Sequence, residues 1–317
     1  MPDMSTRAWF LFGVVSIIWG TPYFFIKLIV DDIDPTVIVF GRSAFAALAL
    51  LPLALRRGTM ATVLRKWRAV LALTCLEILA PFLLITYGEQ RVSSSLTGLL
   101  IASLPLIVAV FALWLDHSER ASGLRLVGML IGLSGVGLVL GFDVGGGLTQ
   151  LVGAALIMGA TLCYAGGTFV IKLGLADVPP LGVVAAASTI STVALAPFAA
   201  FHIPATVPGP TVWLSLAALG VLCTALGFIG YVGLVSEAGP ARATIVTYLN
   251  PAVAVLLGVT LLGEPLTATV AAGFLLIIAG SWLSTGGTLP PRLLSLVSRR
   301  SRVQDPLPGN LAQLAVE

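Results

Sequence analysis

Residues Ser236 to Thr267 read SEAGPARATIVTYLNPAVAVLLGVTLLGEPLT, a stretch whose apolar part is about the 20 residues needed to cross a bilayer core. Asn250 and Pro251 stand near its middle, and Gly263-Glu264-Pro265 ends it. A proline inside a helix deletes one hydrogen bond and pushes away the carbonyl four residues back, here that of Thr247. At membrane depth a freed carbonyl is tolerated only where protein or a water-filled cavity receives it. Tyr248 and Asn250 add a phenol and an amide to the same place. The expectation is a helix broken at Pro251 that lines a path.

The stretch has an earlier echo. Glu264, Gly273 and Gly280 repeat the intervals of Glu119, Gly128 and Gly135, which lie 145 positions before them. Pro105 precedes Glu119 much as Pro251 precedes Glu264. At the same offset IWGTPYFFIKL (Ile18 to Leu28) lies over CYAGGTFVIKL (Cys163 to Leu173), so the chain is a duplicated half. Apolar runs near residues 8–29, 34–55, 67–87, 92–115, 122–142, 150–173, 180–201, 211–234, 240–262 and 267–285 predict ten transmembrane helices, with Pro197 interrupting the seventh. Arg7 precedes the first run, which is long enough to remain as a span and not be removed as a signal peptide. Five spans per half is an odd number, which inserts the second half upside down relative to the first.

Composition bounds the class. The chain has 317 residues, 58% of them hydrophobic and only 10% charged, far from the charged quarter of a soluble domain. Mean hydropathy is +1.05. This describes an all-α integral membrane protein. Arg56, Arg57, Arg65, Lys66 and Arg68 crowd one loop, and Arg292, Arg299, Arg300 and Arg302 follow the last span, which predicts that both termini are cytoplasmic in a plasma (inner) membrane. Asp31, Asp32 and Asp34 then lie outside. Residues 287–317 read as a cytoplasmic tail without a fold of its own. The net charge of +3 serves orientation and does not indicate nucleic-acid binding. Cys75, Cys163 and Cys223 fall in apolar spans and read as small core residues, with neither a disulfide framework nor a metal site.

Together these features resemble the EamA-type family of the drug/metabolite transporter superfamily. The resemblance rests on WG in the first span, Arg42 in the second, Pro105 and Pro251 within the fourth and ninth, and Glu119 and the GEPL of Glu264 before the fifth and tenth. It spans residues 8–142 as one five-helix repeat and 150–286 as another. It implies ten helices in two inverted repeats around a central path, hence a secondary transporter, in many relatives an exporter. It names no substrate, because members of the family move amino acids, sugars, nucleotide derivatives or drugs. No cofactor is implied. The expected partners are a small-molecule substrate, the bilayer and protons, and the chain acts as a monomer or a homodimer.

Several residues are candidates for the path. Trp19 and Tyr164 correspond across the repeat, and with Thr21, Pro22, Tyr23, Gly166, Gly167 and Thr168 they read as cavity walls or as helix packing; Ser103 beside Pro105 joins them. Lys27 and Lys172, another repeat pair, lie near helix ends, where snorkelling to headgroups or a gate explains them. Glu119 and Glu264 each precede a span, where a carboxylate favours the helix dipole, so capping and gate packing rank above chemistry. Arg42 and Glu77 lie at membrane depth and must face the interior. Their readings are a structural pair or separate satisfaction of each, a proton carrier at Glu77, or anchors for a charged substrate. His117 and His202 fall in or near loops on opposite sides, and no catalytic constellation survives placement on the spans.

Overall fold

The computed structural model describes residues 5–115, 124–142, 147–204, 206–238, 243 and 246–284, and among them helices occupy all ten of the predicted apolar runs, with no strand. They are α1 (Thr6–Lys27), α2 (Pro35–Arg56), α3 (Trp67–Glu89), α4 (Ser94–Ile101, continuing as Leu104–Leu115), α5 (Leu124–Phe142), α6 (Leu148–Leu175), α7 (Pro180–Ala200), α8 (Pro210–Ala238), α9 (Val246–Leu261) and α10 (Ala268–Ser284). Seven of these described helices are long and apolar enough to cross a membrane; α9, α10 and the apolar part of α5 are shorter. Glu119 and His117 lie outside the described residues, as does the tail from residue 285.

Local signals start the helices where the sequence changes character. Ser5 accepts from the amide of Ala8 at 3.0 Å to open α1, and Ser93 accepts from Leu96 at 3.1 Å to open α4. Asp34 accepts from Thr36 at 2.8 Å, with Pro35 at the first helical position of α2. Pro180 and Pro210 play that positional part in α7 and α8.

The helices are inside-out by water standards. Leu48, Val193 and Leu275 point outward, 73%, 68% and 67% exposed, whereas Ser16, Ser43, Ser188, Ser191 and Thr161 are buried. In lipid the outward face must be apolar, and polar groups cross between helices instead. The Ser43 and Ser191 hydroxyls meet at 3.2 Å and join α2 to α7.

The packing repeats when the halves are exchanged. α1 lies against α8 and α9, and its counterpart α6 lies against α3 and α4; α2 packs on α8 as α7 packs on α3. The remaining large contacts, α2 with α7, α4 with α9 and α5 with α10, join each helix to its own counterpart. Glycines make the α5–α10 contact possible: a Cβ on Gly280 would overlap the backbone of Gly132, and one on Gly135 would come within 3.0 Å of the Gly273 carbonyl.

Two expectations about proline are corrected. α9 runs as a helix through Pro251. The Asn250 side chain, oriented so that its nitrogen donates, reaches the Val246 carbonyl at 2.9 Å and the Ser16 carbonyl of α1 at 3.2 Å, tying α9 to α1 beside the proline. Pro197 falls in the last turn of α7 and leaves that helix whole. A break does lie beside Pro105: α4 is interrupted at Ala102 and Ser103, and the proline is the second residue of the segment that resumes at Leu104.

Among the described residues, three helices widen into π-turns: Thr74–Leu79 in α3, Ile171–Leu175 in α6 and Ala218–Leu226 in α8. The first and last overlap at the repeat offset. A π-turn inserts a residue into the helical ladder and often marks a functional position.

Candidate substrate path and outer closure

Arg42 lies two turns into α2, 8% exposed. Its guanidinium carbon stands 3.6 Å from the centre of the Phe82 ring of α3, and its Nε donates to Thr224 Oγ1 of α8 at 3.2 Å. The Thr224 hydroxyl in turn donates to the Leu219 carbonyl five residues back, at 2.9 Å. The π-turn of α8 therefore presents the hydroxyl that holds Arg42. Planar stacking and a directed donor fix a guanidinium where a lysine ammonium would find neither.

Around this centre the predicted residues fall into three groups. In the first, Tyr23, Tyr164 and Cys223 are within electrostatic range of Arg42, and Tyr164 packs against the apolar cluster that contains Phe82. Glu77 sits inside the α3 π-turn with its carboxylate against Gly167 of α6, within electrostatic range of Tyr164. Arg42 and Glu77 form no ion pair; the ion pairs among the described residues are Arg7–Glu237 and Lys66–Asp177. Trp19 donates from Nε1 to the Cys223 carbonyl at 3.2 Å and stacks on Tyr231 at 4.8 Å. Thr168 is turned onto its own helix, donating to the Ala165 carbonyl at 2.6 Å.

The second group gathers where α4, α9 and α10 meet. Ser103 donates to the Leu100 carbonyl at 2.6 Å and so satisfies the break before Pro105. Tyr248 donates to the Ser281 carbonyl at 3.3 Å, and Ser281 donates to the Ala102 carbonyl at 3.4 Å. Asn250 and Tyr248 thus point to different neighbours, α1 and α10.

The third group lies at the end of the bundle where α3 ends and α4 begins. Gly263, at φ +67°, turns the chain after α9 in a conformation that suits glycine and brings Glu264 back toward α4. Glu264 accepts from the amides of Ser94 and Ser95 at 2.6 and 2.9 Å and from Ser95 Oγ at 2.5 Å. It is a cap, but of α4 in the other half and not of α10, whose first turn is capped by Thr267 at 3.1 Å. Lys27 does not snorkel: Nζ donates to the carbonyls of Glu89 at 2.7 Å and Val92 at 3.3 Å, capping the end of α3. Lys172 is exposed at the other end of the bundle and does not join it.

Sequence reasoning missed Phe82, Thr224 and Glu89. Phe82 and Thr224 carry no sign of their role in an apolar run, and Glu89 reads as the charged end of a span. Of the three thiols, Cys223 is buried as expected, Cys163 is half-buried and Cys75 is exposed on the outward face of α3, which corrects the reading of all three as core.

A model of the EamA-like transporter family matches residues 6–141 and again 151–286. The chain belongs to the EamA-like transporter family. The two matches make it a tandem EamA repeat. It is 27% identical over 281 residues to the uncharacterized transporter YvbV of Bacillus subtilis, covering 86% of this chain and 90% of that one. It is 29% identical over 266 residues to the uncharacterized inner membrane transporter YedA of Escherichia coli, covering 81% and 84%. A solved crystal structure superposes with a TM-score of 0.63 at 19% identity over 94% of this chain and 99% of that one, a likeness of fold. This EamA-family chain is a membrane transporter.

Proposed function

We propose that the protein is a secondary transporter that moves a small polar or amphipathic metabolite, an amino acid or a related compound, out across the plasma membrane by alternating access. Ten spans in two inverted five-helix repeats, both termini cytoplasmic, form its frame. The observation that carries this reading is the exchange symmetry of the packing, in which α1 with α8 and α9 is repeated by α6 with α3 and α4. A bundle whose halves are interchangeable can open to either side by rocking one set of contacts against the other. The outward direction rests on the family likeness.

The substrate class follows from Arg42 and Glu77 standing unpaired with each other, both within electrostatic range of Tyr164. Two opposite charges, Arg42 buried and Glu77 half-buried, that do not neutralise one another suit a solute carrying both signs, the guanidinium receiving a carboxylate and Glu77 an ammonium. Reconstitution into liposomes tests the reading: saturable counterflow of an amino acid or a related compound is expected. The absence of flux across a broad metabolite panel would favour a non-transporting scaffold. A ligand-dependent thermal shift across the same panel identifies the substrate independently of flux.

A further inference from the structure

Glu89 ends α3 with no solvent exposure, and neither of its carboxylate oxygens has a hydrogen-bond partner. Ser94 Oγ, in the first turn of α4, is also buried and unpartnered. It lies beside Glu264, since both would meet a Cβ placed on Gly258. The charged and titratable groups that face Glu89 come from every side of the closure: Lys27 and Tyr23 from α1, Arg42 from α2 and Glu264 from the loop before α10. Lys27 already donates to the main-chain carbonyl of Glu89 itself at 2.7 Å.

A carboxylate here would be a charge withdrawn from water without a donor, an arrangement that buried ions avoid by pairing or by neutralisation. The neutral acid has no such penalty. A metal cation is disfavoured because the Lys27 ammonium occupies the same corner. When the ends of α1 and α3 part, water reaches Glu89, and the ammonium released from the two carbonyls becomes a partner for its carboxylate. We propose that Glu89 is a proton-binding site that latches the outer closure, holding one proton while α1, α3 and α4 are together and yielding it to outside water as they separate. The carboxylic acid gives a carboxylate and one proton to bulk water, and reclosure takes one proton back.

This deepens the transporter reading and rests on it for its purpose, but its test needs no substrate. Infrared spectra of the purified protein in vesicles, wild type minus Glu89→Gln, are expected to show the carbonyl stretch of one neutral carboxyl at neutral pH. A carboxylate band in its place overturns the proposal. In a chain with Cys75, Cys163 and Cys223 replaced, Val92→Cys should react with an impermeant maleimide about tenfold faster at alkaline external pH, after normalisation to an Asp32→Cys control. Glu89→Gln should abolish that dependence, and its persistence in the variant overturns the latch. Should Glu89→Gln fail to fold, Lys27→Met keeps the carboxyl and removes its partner, so the neutral band should persist to more alkaline pH; an unchanged band overturns the exchange with Lys27. Sodium-dependent thermal stabilisation that vanishes in Glu89→Gln would assign the site to a metal cation instead. Failure of these tests leaves counterflow untouched, and absence of counterflow leaves the infrared result standing.

Discussion

A guanidinium withdrawn from water needs directed partners, and Arg42 has an aromatic face and one hydroxyl, which leaves other donors of its five for a solute. Arg42→Lys keeps the charge but loses the stack on Phe82 and the fork, so counterflow should fall by about tenfold or more in a protein that still folds. Wild-type counterflow in that variant would remove Arg42 from the path. Glu77→Gln should weaken stabilisation by a zwitterionic ligand about tenfold or more while leaving the unliganded melting temperature near wild type. Retained exchange with loss of pH-driven accumulation would move the proton role to Glu77 and end its role as anchor. Arg42 and Glu77 were legible in the sequence because ionisable groups at membrane depth demand a reason. Phe82 and Thr224 were not, because a ring and a hydroxyl in an apolar helix are ordinary until the neighbour is known. Asn250 was legible as a polar group at depth, but not its amide contact with the Ser16 carbonyl, which ties α9 to α1.

At the scale of elements, apolar runs located the helices because lipid permits few other backbone arrangements. The π-turns left no such mark, since one inserted residue shifts the faces of a helix that is apolar all round without changing its composition. Nor did sequence show that Glu264 would reach across to α4, a contact made only when the two halves meet. Replacing Glu264 by alanine removes two amide bonds and one hydroxyl bond to a carboxylate and should cost about 2 kcal/mol or more, read as a lowered unfolding midpoint in mild detergent. Glu264→Gln, which keeps one acceptor, should recover part of that loss. Gly280→Ala sets a methyl group against the backbone of Gly132 and should destabilise the α5–α10 contact by about 1–3 kcal/mol, whereas Gly13→Ala, with open space around it, should not.

For the molecule as a whole, orientation is the prediction most easily checked. Phosphatase fused within the Asp31–Asp34 loop should be active and fused after Glu317 inactive; the reverse pattern would invert the proposed topology. On the side taken as cytoplasmic, the hydrogen bond from Lys66 holds the exposed Asp177 carboxyl below the usual carboxylate range. The contribution of such a group is present above its unfolded value and fades as pH falls through the folded one. Because both side chains are solvated, Lys66→Gln should leave the unfolding midpoint near wild type at neutral pH. The exchangeable packing of the halves carries a last consequence. If each half can take the conformation of the other, the two end states of the cycle are nearly degenerate and related by a two-fold exchange of the halves, and their balance is set by positions where the duplicates have diverged. At the offset of 145, Arg42, Glu77 and Glu89 stand opposite Ala187, Leu222 and Leu234, so these three ionisable side chains have no ionisable counterpart in the second half. A carrier built this way would take its resting preference from these three side chains, and whatever neutralises them would choose the side on which it waits.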